Sequence, residues 1–199
     1  MRDMLARLRG ELFTAWCRLF RKNIRIGPGL RIYKRFSIRG SGTVEIGKNC
    51  LVDGIIGDRR QYCCIDTGNA DSRVRIGDNA RLFAVKMWVK FSVVIGSDVL
   101  IEECGIIDTD FHSIDRLRTS PPPLEHFEKC RIIIGDRVCI GARSVMTKGV
   151  SIGDDAVISP GSIITRSIPA RFFACGNPAK ISGPIDGPPP YQEKIEGAP

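Results

Sequence analysis

The chain of 199 residues holds two histidines, His112 and His126, and histidine is the side chain best suited to moving a proton near neutrality. His112 stands in the segment D-T-D-F-H-S, after Asp108 and Asp110. A carboxylate set against one imidazole nitrogen fixes the tautomer and stabilises the charged ring. An aspartate beside a bend equally well caps that bend. The residues by themselves leave both readings of Asp108 and Asp110 open, and a lone loop histidine assigns nothing. His126, beside Phe127, sits in no motif and reads as structural or solvent-facing. The eight cysteines include no C-x-x-C pair; only Cys63 and Cys64 are neighbours, which is not a zinc spacing. They read as reduced thiols, several of them small core hydrophobes.

The elements that must position these groups show in a period of six. Ile134, Ile140, Met146, Ile152, Ile158 and Ile164 are aliphatic anchors, with Gly135, Gly141 and Gly153 directly after three of them. Val138, Ser144, Val150, Ala156 and Ser162 follow the anchors by four positions and are all small or β-branched. The same hexad appears at Ile95-Gly96 with Val99, Ile101 and Ile107, at Ile76-Gly77 with Ala80 and Leu82, and at Ile46-Gly47 with Cys50 and Val52. A weaker version opens at Ile26, Ile32 and Ile38. Six residues of helix would turn each anchor by about 240° from the last, so no single face would form. Short strands with a bend after each do fit, because positions i and i+4 share a parity and both point inward. Such units bury their core by stacking on one another.

Residues 3–21 read as an amphipathic helix with Leu5, Leu8, Leu12, Trp16, Leu19 and Phe20 in one stripe and Arg2, Arg7, Arg9, Arg18, Arg21 and Lys22 around it. It serves either as a cap over the first coil, the favoured reading, or as a membrane-surface anchor through residues 3–22. Residues 53–75 break the rhythm and are expected to be an irregular insertion. Residues 108–130, with Pro121-Pro122-Pro123, are expected to be an extended functional loop. The domains expected are therefore the helix at 1–22, a solenoid at 23–182 and a disordered tail at 183–199, where Pro184 and Pro188 to Pro190 cluster. No apolar run approaches the roughly 18 residues of a spanning helix, and no signal peptide is read at the start, so a cytoplasmic place is expected, at most at the inner face of a membrane. The net charge of +8 favours an anionic partner. Nucleic acid, cofactor phosphates and an anionic membrane all satisfy it; nucleic acid is not expected.

The stretch I-G-D-R-V-C-I-G-A-R-S-V-M-T-K-G-V-S-I-G-D-D-A-V-I-S-P-G-S-I-I-T-R-S-I-P from Ile134 to Pro169, followed by C-G-N-P-A-K at Cys175 to Lys180, resembles the hexapeptide-repeat acyltransferases. The likeness runs from about Ile76 to Ile181, and the maltose/galactoside and surface-polysaccharide sugar O-acetyltransferases are the members it resembles most. It implies an all-β fold, a left-handed parallel β-helix with an N-terminal helix. It implies transfer of an acetyl group from acetyl-coenzyme A to a saccharide hydroxyl, by a homotrimer with sites between subunits and without a metal. His112 takes the position of the catalytic base. Ala142, Pro160, Thr165 and Arg166 take positions that contact coenzyme A, Lys180 a basic position near its phosphates, and Arg171 is a further candidate by location.

Two residues depart from the pattern. Cys139 stands where many members have Trp, and Phe83 to Lys90 lacks the acceptor-side asparagine of the maltose/galactoside enzymes. The rival readings are an antibiotic acetyltransferase of the streptogramin or chloramphenicol type, a γ-class carbonic anhydrase, and a non-catalytic scaffold. The anhydrase would need three histidines on zinc, and this chain has two histidines in all.

Overall fold

The structure is a computed structural model that describes residues 1–54, 61–110 and 127–186. The hexads wind into a three-sided prism. Its first face stacks Ile24–Ile26, Thr43–Ile46, Arg73–Ile76, Ser92–Ile95, Ile132–Ile134 and Ser151–Ile152 in parallel. The second begins at Arg31–Ile32 and Leu51–Asp53 and continues through Arg81–Phe83, Leu100–Glu102, Cys139–Ile140 and Val157–Ile158. The third runs from Phe36–Gly40 through Cys63–Thr67, Lys86–Val89, Gly105–Ile107 and Val145–Met146 to Ile163–Ile164.

The register explains the period. Ile46 pairs Ile76, Ile76 pairs Ile95, Ile95 pairs Ile134 and Ile134 pairs Ile152, so the anchors form inward rows. The rows on the other faces are Leu82, Ile101, Ile140 and Ile158, and Ile65, Met87, Ile106, Met146 and Ile164. All are buried in one continuous core. The small fourth-position residues close the corners: Ser144 Oγ donates to Gly141 O at 2.8 Å and Ser162 Oγ to Ser159 O at 2.6 Å, so neither buried hydroxyl is left unpaired.

The corner between the first and second faces repeats one backbone. Asn49, Asn79, Asp98, Arg137, Asp155 and Arg171 all have positive φ there. A side-chain ladder ties these bends together: Lys48 N donates to Asp78 Oδ1, Ser97 N to Asp136 Oδ1 and Asp136 N to Asp154 Oδ1, at 2.7–2.9 Å. Arg137 grips Asp155 with two hydrogen bonds of 2.7 and 2.9 Å, which holds the Asp155 carboxyl below the usual carboxylate range and raises the guanidinium.

Three expectations change. Residues 53–75 are not wholly irregular: Cys63–Thr67 is a regular strand between Phe36–Gly40 and Lys86–Val89, and residues 55–60 lie outside the described set. The ordered chain runs past residue 182, because Lys180–Pro184 pairs antiparallel with Phe172–Cys175 and Ile185 N donates to Arg171 O at 2.8 Å. Finally, helix α1 (Arg2–Phe20) does lie against the first coil, but not through its large apolar stripe. Ala6, Gly10 and Cys17 are its buried residues, and Phe13 packs on Phe36 with ring centroids 5.3 Å apart. The rest of the 108–130 loop, residues 111–126, is outside the described set; its end forms a helical turn, Phe127–Cys130.

Candidate active site

The corner between the third and first faces carries a polar cleft beside a partly exposed aromatic. On the outward side of the third face Asp66, Trp88 and Ile107 stand in one register row, opposite in parity to the buried Ile65, Met87 and Ile106. Beyond them lies a cleft of about 280 Å³ lined by Asp66, Gly68, Asn69, Trp88, Val89, Lys90 and Thr109. Its walls are held by short polar side chains bonded to the backbone. Asn69 Oδ1 accepts from Asp71 N and Ser72 N at 2.9 and 3.0 Å, while its Nδ2 donates to Lys90 O at 3.2 Å. Ser72 Oγ also donates to Lys90 O, at 2.9 Å.

Asp108 is fully buried beneath this corner. Its two carboxylate oxygens accept from Lys90 N at 2.7 Å and Phe91 N at 2.8 Å, the bend-capping arrangement. Asp110 sits at the rim and forms an ion pair with Lys148 from a later coil. His112 follows two positions on and, like His126, lies outside the described residues. Of Asp108, Thr109 and Asp110, Thr109 lines the cleft, Asp108 is buried against the backbone of Lys90 and Phe91, and Asp110 turns to Lys148.

The residues assigned to coenzyme A sit on the last coils but not at one corner. Ala142 and Pro160 stack between the second and third faces, with Gly161 N donating to Ala142 O at 2.8 Å. A Cβ on Gly141 would come within 2.6 Å of the Pro160 ring, so these bends touch closely. Thr165 and Arg166 are exposed at the corner after the third face, above Thr147. The third face thus runs between two rims that carry four of the six positions. Lys180 is exposed at the start of the final hairpin strand. Arg171 takes the remaining corner, beside Asp154, and the single chain does not bring it to the others. Cys139 is buried on the outward side of the second face, between Leu100 and Val157.

Sequence reading missed Trp88, Asp66 and Asn69. A signal for Trp88 was available: Met87 occupies the inward parity, so the large aromatic beside it must point outward. Three of the buried thiols are poor nucleophiles, since burial pushes Cys50 up to about 11 and Cys63 and Cys104 up to about 12. Each is protonated near neutrality.

Comparison with known proteins fits this architecture. Residues 131–166 match the family described as the hexapeptide repeat of succinyl-transferase. Repeat and prism together define a left-handed parallel β-helix of the hexapeptide-repeat type. The chain is similar to the galactoside O-acetyltransferase of Escherichia coli, 32% identical over 111 residues that make up 55% of this chain and 53% of that protein. It is similar to a 2,3,4,5-tetrahydropyridine-2,6-dicarboxylate N-acetyltransferase of Clostridium perfringens, 41% identical over 32% of this chain and 27% of that one. The chain thus spans about half or less of the length of these curated relatives. A hexapeptide-repeat acetyltransferase of Vibrio cholerae shares the fold over 94% of both chains, with TM-score 0.56 and 20% identity. In its complex with acetyl-coenzyme A it matches with TM-score 0.50 and 25% identity over 76% of this chain and 73% of that one.

Proposed function

We propose that this protein is an acetyl-coenzyme A-dependent acetyltransferase acting on a saccharide or saccharide-containing acceptor. The observation that carries the reading is the cleft beside Trp88: a rigid, polar pocket with one aromatic wall, at the point where the chain enters the His112 segment. An indole face flanked by Asp66 and Asn69 suits a sugar ring, whose C–H face packs on the aromatic while its hydroxyls reach polar groups. Of the named relatives, the galactoside O-acetyltransferase supports a saccharide acceptor.

In this reading His112 accepts the proton of the acceptor hydroxyl as its oxygen attacks the thioester carbonyl. The tetrahedral intermediate then collapses, the carbon–sulfur bond breaks, the departing thiolate takes the proton back from His112, and the coenzyme A thiol and acetyl ester leave. Backbone N–H groups of the bends stabilise the oxyanion, and holding donor and acceptor side by side supplies much of the acceleration. Asp108 shapes the acceptor corner by fixing Lys90 and Phe91, which is a positioning role. Thr165 and Arg166 on one rim and Ala142 and Pro160 on the other would line the donor, with Arg171 and Lys180 near its phosphates. The gathering of these rims, and of Arg171 in particular, is completed by neighbouring subunits of a homotrimer working in the cytoplasm.

The test is thiol release from acetyl-coenzyme A against a panel of sugars, amino sugars, nucleotide-sugars and acetylatable antibiotics. Saccharide-dependent release supports the proposal. Release with the antibiotics alone moves the acceptor class, and no coenzyme A binding by calorimetry refutes the enzyme.

A further inference from the structure

We propose that α1 docks on the surface of an anionic lipid bilayer through the face it turns away from the coil. At 3.6 residues per turn, Ala6, Gly10, Phe13 and Cys17 share one side of the helix. They are the residues that meet the prism, and three of the four are small. The opposite side carries Met1, Met4, Leu5, Leu8, Leu12, Ala15, Trp16 and Leu19, with no charged residue among them. Leu12 is 63% exposed, Met4 67% and Leu19 73%, and Phe20 follows at 68%. A large apolar stripe is thus left in water by a helix whose docking is already complete on its other face. Contiguous patches of this kind mark a partner surface.

The edges of the stripe say which partner. Arg2 and Arg9 run along one side and Arg7 and Arg18 along the other, with Glu11 next to them. The first 22 residues hold six basic side chains against two acidic ones. Asp3 holds Arg7 and the Tyr33 hydroxyl, Arg2 pairs with Asp53 and Arg9 donates to the Tyr33 carbonyl, yet all these arginine side chains stay largely exposed. Arginines flanking an aliphatic and tryptophan face fit lipid phosphates, with the stems lying along the acyl boundary and the heads among the phosphates. A second copy of the chain fits poorly. Two stripes face to face would set arginine against arginine. Among the described residues the other exposed large apolar side chains are Phe173 and Ile181, two residues that make a much smaller patch than the stripe.

The full-length protein should co-sediment with vesicles of phosphatidylcholine and phosphatidylglycerol, much less with phosphatidylcholine alone, and less again in high salt. The L8E/L12E double variant alters two exposed side chains and should lower the partition by about a hundredfold. The R9E/R18E double variant should lower it at least tenfold on the anionic vesicles only. A mass by light scattering unchanged in both variants, with an unchanged circular dichroism spectrum, completes the expected result. Trp16→Ser serves as a third probe should either double variant misfold. The proposal is overturned by equal binding of wild type and folded variants, by no binding to the anionic vesicles, or by L8E/L12E reducing the oligomeric mass, which would give the stripe to a second copy. None of these readouts depends on acetyl transfer.

Discussion

Replacing Ile101 by Ala tests whether every sixth side chain lines the prism. Ile101 is fully buried and paired in register with Leu82 below and Ile140 above, both also buried. Losing three carbons removes about 2.4 kcal/mol of transfer free energy at about 0.8 kcal/mol per methylene. The coils above and below are fixed by backbone ladders and cannot close the gap, so a cavity cost adds to this, giving about 3–4 kcal/mol. Glu102, the next residue, points outward, and Glu102→Ala should cost no more than about 0.5 kcal/mol. Urea unfolding followed by circular dichroism reads the difference. With a slope of about 1–3 kcal/mol per molar, the Ile101→Ala midpoint should fall by at least about 1 M while that of Glu102→Ala stays put. Equal shifts in the two variants would refute the inward-row assignment.

Other outcomes follow from particular contacts. A Cβ on Gly10 would collide with the Leu30 carbonyl oxygen, so Gly10→Val should dislodge α1 from the first coil and expose it to limited proteolysis, leaving the later coils intact. Of the eight cysteines only Cys175 is not buried, so a thiol reagent should modify one thiol quickly in the native protein and all eight after unfolding. Burial raises Cys50, Cys63 and Cys104 above their unfolded value of 9.0, so the protein is favoured below that pH and should lose stability as pH climbs from about 9 towards 12. Asp155 is shifted the other way by Arg137, so its contribution is present above the ordinary carboxylate value and fades as pH falls below about 4. Asp155→Asn should therefore flatten the acid limb of a melting-temperature profile.

The hexads were legible because a parallel ladder puts one anchor above another: Ile95 over Ile76 in the structure is the same fact as Ile-Gly recurring in the sequence. Cys63–Thr67 was hidden because the excursion before it and the Asn69 turn after it displace the strand from the six-residue count, although Cys63, Ile65 and Thr67 still alternate inward. The stripe on α1 was read correctly as a stripe, but periodicity does not say which face docks. Close approach decided that: the glycine and alanine side lets the helix backbone sit on Leu30, whereas the leucine side could not come so near. Asp108 shows the same limit at the site. Its type and position fit catalysis and bend capping equally in the sequence, and the capping of Lys90 N and Phe91 N comes into view only once the coils are stacked. The Trp88 cleft escaped because its walls come from three coils far apart in sequence.

In the proposed function one side chain, His112, is the base for acetyl transfer. The most direct measurement is acceptor-dependent turnover of acetyl-coenzyme A by the wild type and by His112→Ala at matched coenzyme A occupancy. In His112→Ala kcat should fall by about 10² to 10⁴ with donor binding retained. Undiminished turnover in His112→Ala would contradict it.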